Sequence, residues 1–339
     1  MNQIELGHLI RALPKVELHV HVEGTLEPEM MFDLAKRNSL SLPYPNVEDL
    51  RRAYEFRDLQ SFLDLYYEGV RVLLQERDFF DLTWAYLERM AGENVRHVEI
   101  FFDPQAHTTR GVDFETVISG IHGALERARS GLGLSSRLIL CFLRHLSPAS
   151  AMETLERALP HRDWICAVGL DSSEAGNPPA RFREVFDRAR SAGFLTVAHA
   201  GEEGPPAYIW QALEELGARR IDHGVRCVED ASLVEHLARR RVPLTVCPLS
   251  NVKLRVFPSL KAHNLKSLLE HGLCVSIHSD DPAYFGGYLT DNYLATAQAL
   301  GLSRMEILQL ARNAVEACFL PDDGKKAMLS KIDELNTAG

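Results

Sequence analysis

Eight short runs rich in β-branched and apolar residues punctuate this chain, and most are separated by stretches with helical periodicity. The runs are KVELHVH (15–21), VRHVEIFF (95–102), RLILCFL (137–143), ICAVGLD (165–171), FLTVAHA (194–200), RRIDHG (219–224), VPLTVCP (242–248) and LCVSIHSDD (273–281). Runs of this kind read as strands, and segments such as FREVFDRARSAG and PAYIWQALEELG between them read as helices, the second ending on Gly217 as a C-cap. Strands alternating with helices pair in parallel through right-handed crossovers. Eight such units predict an α/β fold of the (β/α)8 TIM-barrel class, with residues 1–339 as one domain. The gap after the first run is too long for one helix. It contains PEMMFDLAKRN and SFLDLYYEGVRVLL, which predicts a helical insertion over about 25–94 that forms part of a lid or pocket wall. No Pro/Gly/Ser-rich linker brackets it, so it belongs to the same domain. A further helix is expected from Ser303, with Glu306 completing a capping box.

Composition narrows the function classes. The chain is 46% hydrophobic and 25% charged, as globular domains are, and its net charge of −10 repels phosphate backbones, so nucleic acid is not an expected partner. No run approaches the ~18 apolar residues of a membrane span, and the N-terminal residues lack the pattern of a signal peptide. Six cysteines form no C-x-x-C pair and sit mostly in apolar runs, which points to a reducing, cytoplasmic setting. Oligomeric state is not legible.

The ends of the strands carry the chemistry. His19 and His21 end the first run on one face of a strand, about 7 Å apart. His199 and Glu202 follow the fifth, His223 ends the sixth, and Asp280 and Asp281 end the eighth. A barrel gathers the C-terminal ends of its strands at one mouth, where active sites form. Independent core histidines would show no preference for that end. Three imidazoles and a carboxylate suit one zinc ion per chain, so His19, His21, His199 and Asp280 are assigned as its ligands, although iron or manganese fits the same donors. Zinc lowers the pKa of a bound water from about 15.7 towards 7. Some barrel hydrolases bridge two metals with a lysine or glutamate after strand 4. Here that segment, AVGLDSSEAG, has no lysine, which favours one metal and leaves Glu174 as a weaker candidate for a second. Glu202 reads as a general acid/base or a solvated loop glutamate. His223 reads as a hydrogen-bonding partner of the attacking water or a supporting histidine, and Asp281 as a residue that orients water or binds substrate.

The motifs HVHVEG, HAGE, IDHG, CPLSN and SDDP, in this order, resemble the adenosine/adenine deaminase family of the amidohydrolase superfamily, nearest its adenine branch. The cytidine-deaminase signature is absent. The resemblance implies zinc-dependent hydrolytic deamination at C6 of a 6-aminopurine, a small-molecule substrate, in purine salvage. By that likeness Glu202 protonates ring N1, His223 and Asp280 help activate water, Asp281 binds N7 through a proton, and the Gly169 backbone N–H reaches N3. Glu23 replaces the aspartate usual in the adenosine branch, which favours the free base by filling ribose space. Adenosine, N6-substituted adenines and a non-catalytic purine- or metal-binding barrel are the alternatives. His278 stands where the family commonly has asparagine. Alternation puts it on the face of Asp280, as a partner of that ligand or as a tolerated change. Tyr284, Phe285 and Tyr288 either line a pocket for an N6 substituent or pack against the barrel.

Overall fold

A computed structural model describes residues 3–337. Among these residues, eight strands pair in parallel in chain order: β1 (Lys15–His21), β2 (Val95–Phe102), β3 (Ser135–Leu143), β4 (Ile165–Asp171), β5 (Leu195–Ala200), β6 (Arg220–His223), β7 (Pro243–Val246) and β8 (Cys274–Ile277). This is the expected (β/α)8 architecture. The ring closes through Asp280, whose N–H donates to the His19 carbonyl at 2.9 Å and whose carbonyl accepts from His21 N–H at 3.1 Å. The seam of the barrel is therefore also where three candidate ligands meet.

Period-two alternation sorts the strands into two faces. Phe101, Ile139, Cys141, Ala167 and Val197 form a small apolar plug of their own. Their sequence neighbours Ile100, Phe102, Leu138, Leu140 and Val168 join the larger core with Phe79, Val117 and Ile121 of the helices Glu76–Gly92 and Phe114–Gly131. Each fully buried side chain of this kind contributes about 1.5–3 kcal/mol.

Three strands stop short of their apolar runs. His223 and Gly224 adopt φ of 63° and 70°, and Asp280 adopts 67°, so the backbone turns left-handed where β6 and β8 were expected to continue. After β7, Pro248 opens the short helix Pro248–Lys253, for which its fixed φ is suited. Left-handed backbone at non-glycine residues is costly and collects at functional sites. His223 and Asp280 are two such residues.

The segment after β1 folds into helices Pro28–Arg37, Val47–Ala53 and Leu59–Gly69 before the crossover helix Glu76–Gly92. Asp58 and Ser61 form a capping box that starts Leu59–Gly69, with Ser61 N–H donating to Asp58 Oδ1 at 2.8 Å. That helix lays Leu59, Phe62, Leu63, Tyr66 and Tyr67 along one wall of the barrel mouth. The cap expected at Ser303 is present, with Ser303 N–H donating to Glu306 Oε2 at 2.7 Å.

Candidate active site

The ends of β1, β5 and β8 bring His19, His21, His199 and Asp280 together, with one ligand atom from each lying within 4.8 Å of all the others. Nε2 of His19 is 3.2 Å from Asp280 Oδ1, Nε2 of His21 is 3.6 Å from the same oxygen, and Nε2 of His21 is 3.2 Å from Nε2 of His199. Four donors bound tetrahedrally at ~2.1 Å stand roughly 3.4 Å apart, so these separations suit one shared ion. His19 Nε2 is fully buried and makes no hydrogen bond despite its nearness to Asp280. Burial, then His19 and His21, depress the basicity of His199 well below the usual range. The Nδ1 atoms of His21 and His199 each face a carboxylate at 3.5 Å, which favours their protons there and leaves both Nε2 atoms to the shared space, where a divalent cation fits.

The backs of the imidazoles are held. Thr245 Oγ1 donates to Asp222 Oδ1 at 2.8 Å, so its lone pairs accept from His19 Nδ1 at 2.9 Å. That fixes the proton on Nδ1 and leaves Nε2 of His19 free for a metal. His199 Nδ1 lies 3.5 Å from Asp222 Oδ2, and His21 Nδ1 lies 3.5 Å from Asp171 Oδ2.

Beside the cluster, Glu202 is buried within 3.5 Å of His223 Nε2. Asn251 Nδ2 donates both to Glu202 Oε1 and to His223 Nδ1, each at 3.3 Å. Asn251 is itself oriented by His263, whose Nε2 donates to its Oδ1 at 3.2 Å. His223 therefore carries its proton on Nε2, facing Glu202 and, at 3.8 Å, Asp280 Oδ2. Burial, then His19, pushes His223 down to about 3, so its imidazole is neutral at pH 7. Burial and the nearby Asp280 push the carboxyls of Glu202 and Asp281 well above the usual range, which favours the protonated form of each. Asp280 itself is held low: burial opposes its ionisation, but His19, His223 and His21 prevail. Glu202, His223, Asp280 and Asp281 line one cavity of about 40 Å³ together with His21 and His199.

Other residues fall elsewhere. Gly169 is not brought to the cavity. It sits in β4 two residues before Asp171, about 7 Å lower, paired with Cys141, and a Cβ there would lie 2.5 Å from Cys141 Sγ. The residues from that strand end that line the cavity are Asp171 and Ser172. Glu174 is not a second-metal ligand either, because both its oxygens accept backbone N–H groups of residues 201–204. His278 does not touch Asp280. The left-handed turn at Asp280 ends the alternation, and His278 instead accepts from Leu18 N–H at 3.1 Å and meets Glu17 Oε1 at 2.9 Å. Burial pushes the Glu17 carboxyl up to about 8, so a proton is available for that contact. Glu23 does not line the cavity. Its Oε1 accepts from Asp103 N–H at 3.2 Å and pairs with His107 at 2.8 Å, bracing Asp103, which does line it. Tyr284, Phe285 and Tyr288 are buried outside the cavity lining, and Tyr284 stacks on Tyr54. Sequence reasoning missed Asp222, Thr245, Asn251 and His263. Asp222 and Asn251 lie inside two of the motifs, IDHG and CPLSN, and the missing signal was which faces those side chains take.

Known proteins resemble this chain over nearly its whole length. An adenine deaminase from Hahella chejuensis is 57% identical over 325 residues, covering 96% of this chain and 97% of that protein. The crystal structure of an adenine deaminase from Arthrobacter aurescens superposes with a TM-score of 0.94 at 50% identity, covering 96% and 99% of the two chains. An amidohydrolase from Burkhoderia ambifaria, solved with bound Zn, superposes with a TM-score of 0.90 at 26% identity, covering 98% and 94%. The family model for adenosine deaminase matches residues 14–335, and this chain belongs to the adenosine deaminase family.

Proposed function

We propose that this chain deaminates adenine hydrolytically, releasing hypoxanthine and ammonia, as a cytoplasmic enzyme with one zinc ion per chain. Residues 1–339 act in it as one hydrolase unit, with the helical insertion walling the substrate. The observation that carries this reading is the placement of two buried carboxyls, Glu202 and Asp281, in one cavity beside a three-histidine, one-aspartate cluster. The near full-length likeness to proteins named adenine deaminase supports the substrate. Free cysteines at all six positions support a reducing compartment. Among the described residues no helix is long and apolar enough to cross a membrane.

His19, His21, His199 and Asp280 would hold the zinc, which when bound makes water a competent nucleophile at neutral pH. The chain's own groups do the rest. Glu202 delivers its proton to ring N1, which draws electron density away from C6 as water attacks there. The Nε2 proton of His223 stabilises charge on the attacking oxygen. N7 is only an acceptor, so Asp281 binds it through a carboxyl proton, the form that burial and Asp280 favour. These contacts strengthen as the ring takes up charge, which makes them contributions to the transition state.

The test is a spectrophotometric assay of adenine, adenosine and N6-alkyl adenines, with metal analysis of the same preparation. Adenine is expected to be turned over fastest, with one zinc per chain. Replacing Glu202 by Gln is expected to lower kcat by about 10²–10⁴-fold. Equal turnover of adenosine and adenine would refute the free-base assignment, and an active Glu202→Gln enzyme would refute the acid.

A further inference from the structure

Glu174 touches none of the reacting groups, yet its carboxylate is 2% exposed and is the focus of four consecutive backbone donors. Gly201 N–H donates to Oε1 at 2.6 Å, and Glu202, Glu203 and Gly204 N–H donate to Oε2 at 3.0, 2.8 and 2.8 Å. We propose that Glu174 is a positioning residue: its carboxylate sets the backbone of 201–204 so that the Glu202 side chain points at the substrate ring. This rests on the acid role given to Glu202 above.

The segment needs an external template. β5 ends at Ala200 and the next helix starts at Pro206, so residues 201–204 lie outside strand and helix. Successive N–H groups turned to one side form a concave site for an anion, and bonds to an ionised acceptor are the strong ones. The fit is close: a Cβ on Gly204 would run into the Glu174 carboxylate.

Each residue of the segment then has one exit. Arg144 Nη1 holds the His199 carbonyl at 2.7 Å, just before the segment. The Glu203 carbonyl is taken by Arg226, and Glu203 Oε1 accepts from Leu59 N–H at 3.4 Å, the first residue of the wall helix. With the N–H groups bound on the Glu174 side, the Glu202 side chain projects to Asn251 and His223. Burial, Asp280, Glu203 and then Glu174 raise the Glu202 carboxyl, so the charge that shapes the loop also favours the protonated acid. The carboxylate thus joins a candidate metal ligand, the acid and the wall helix through one segment of backbone.

The test is a double-mutant cycle on the zinc-loaded enzyme with adenine as substrate. Glu174→Gln keeps the shape but offers one acceptor oxygen and sets an amide NH2 against N–H donors. It is expected to lower kcat about 100-fold, as small misplacements of reacting groups do. KM should stay within about threefold and zinc at one per chain, because a positioning effect acts on the chemical step. Glu174→Gln combined with Glu202→Gln should be no more than about threefold slower than Glu202→Gln alone, since one residue acts through the other. Losses that multiply in the double variant, zinc lost in step with activity, or a Glu174→Gln enzyme within about twofold of the parent would each overturn the proposal. If the glutamine variant does not fold, Glu174→Asp, which keeps the charge but falls short of the four donors, is read through the same cycle. If Glu202→Gln alone turns over like the parent, the acid assignment falls. If Glu202→Gln is slow while Glu174→Gln is not, only the positioning role falls.

Discussion

The two ends of the barrel bury similar side chains and use them in opposite ways. At the floor, Glu99 Oε2 pairs with Arg220 at 2.6 Å, Glu99 Oε1 meets His97 Nε2 at 3.2 Å, and His97 Nδ1 reaches Ser135 at 2.8 Å. His97, Glu99 and Cys318 are close enough to hold an ion, but both oxygens of Glu99 and both nitrogens of His97 already have partners. At the mouth, His19 Nε2, both Asp171 oxygens and Asp281 Oδ1 are equally buried and have none. Unmet hydrogen-bonding capacity on imidazole and carboxylate atoms gathers at the mouth, whereas among these floor groups only Arg220 Nε lacks a hydrogen bond. The electrostatics divide the same way. Burial opposes ionisation of Glu99, but Arg220 and then His97 overcome it and bring the carboxyl to about 2. Glu202 is as buried and has carboxylates for neighbours, so its carboxyl moves the other way.

The sharpest way to break this comparison is to remove one group from each end. His199→Ala at the mouth is expected to lose the metal, read by elemental analysis, and about 10³-fold or more in kcat, with the fold kept by circular dichroism. Glu99→Gln at the floor is expected to do the reverse. It removes the nearer of the two carboxylates that face the buried Arg220 guanidinium, leaving Asp222 at 3.5 Å, which costs about 3 kcal/mol in denaturant unfolding. Turnover per folded molecule should stay within roughly threefold of the parent, because no floor group touches substrate. A stable but inactive Glu99→Gln enzyme would erase the distinction between the two ends.

The sequence carried the mouth better than the floor, for a physical reason. Strand ends announce themselves: an apolar run that stops on His19 and His21, or on Asp280 and Asp281, places those groups at a rim whatever the register. What sits behind the rim depends on which face each strand turns inward and how neighbours are staggered. Thr245 reads as one more β-branched strand residue, and Asp222 as a residue of the RRIDHG run with no assigned face, until β5, β6 and β7 are aligned and Asp222 lies opposite both His199 and Thr245. His278 departs from expectation because alternation counted along a run does not show where the strand stops: β8 ends at Ile277 and the backbone turns left-handed at Asp280. The Gly169 expectation came from the family likeness, and in this chain Asp171, two residues on, reaches the rim. The insertion was legible as helices, but not which of them would cover the cavity.

Acid sharpens the floor. The Glu99 carboxyl is depressed in the folded protein from 4.5 to about 2, so its contribution to stability is fully present above pH ~4.5 and is lost as pH falls towards ~2. A carboxyl held that far below its ordinary value contributes roughly 3 kcal/mol. Urea midpoints between pH 5 and pH 2.5 should fall less steeply for Glu99→Gln than for the parent, since the variant has nothing there to protonate. Parallel slopes would mean that Arg220 does not hold Glu99 ionised.

The smallest expected effect lies where the two ends meet. Asp222 stands 3.5 Å from Arg220 Nε on the floor side, while on the mouth side it accepts from Thr245 and faces His199 Nδ1. Its carboxylate therefore orients His19 through the threonine hydroxyl and lies 3.5 Å from His199 Nδ1, the nearest carboxylate to that proton. Asp222→Asn keeps the volume and one acceptor oxygen but turns the other into a donor that cannot receive the His199 proton. Loss of such a partner behind a ligand costs about 10–100-fold in metal affinity, which competition with a chromophoric chelator would read. Thr245→Val should give a loss of the same sign and smaller size, because it frees only His19. If Asp222→Asn instead lowers the unfolding midpoint and leaves zinc affinity unchanged, the residue belongs to the floor, and the boundary between the structural and the working barrel runs above β6 rather than through it.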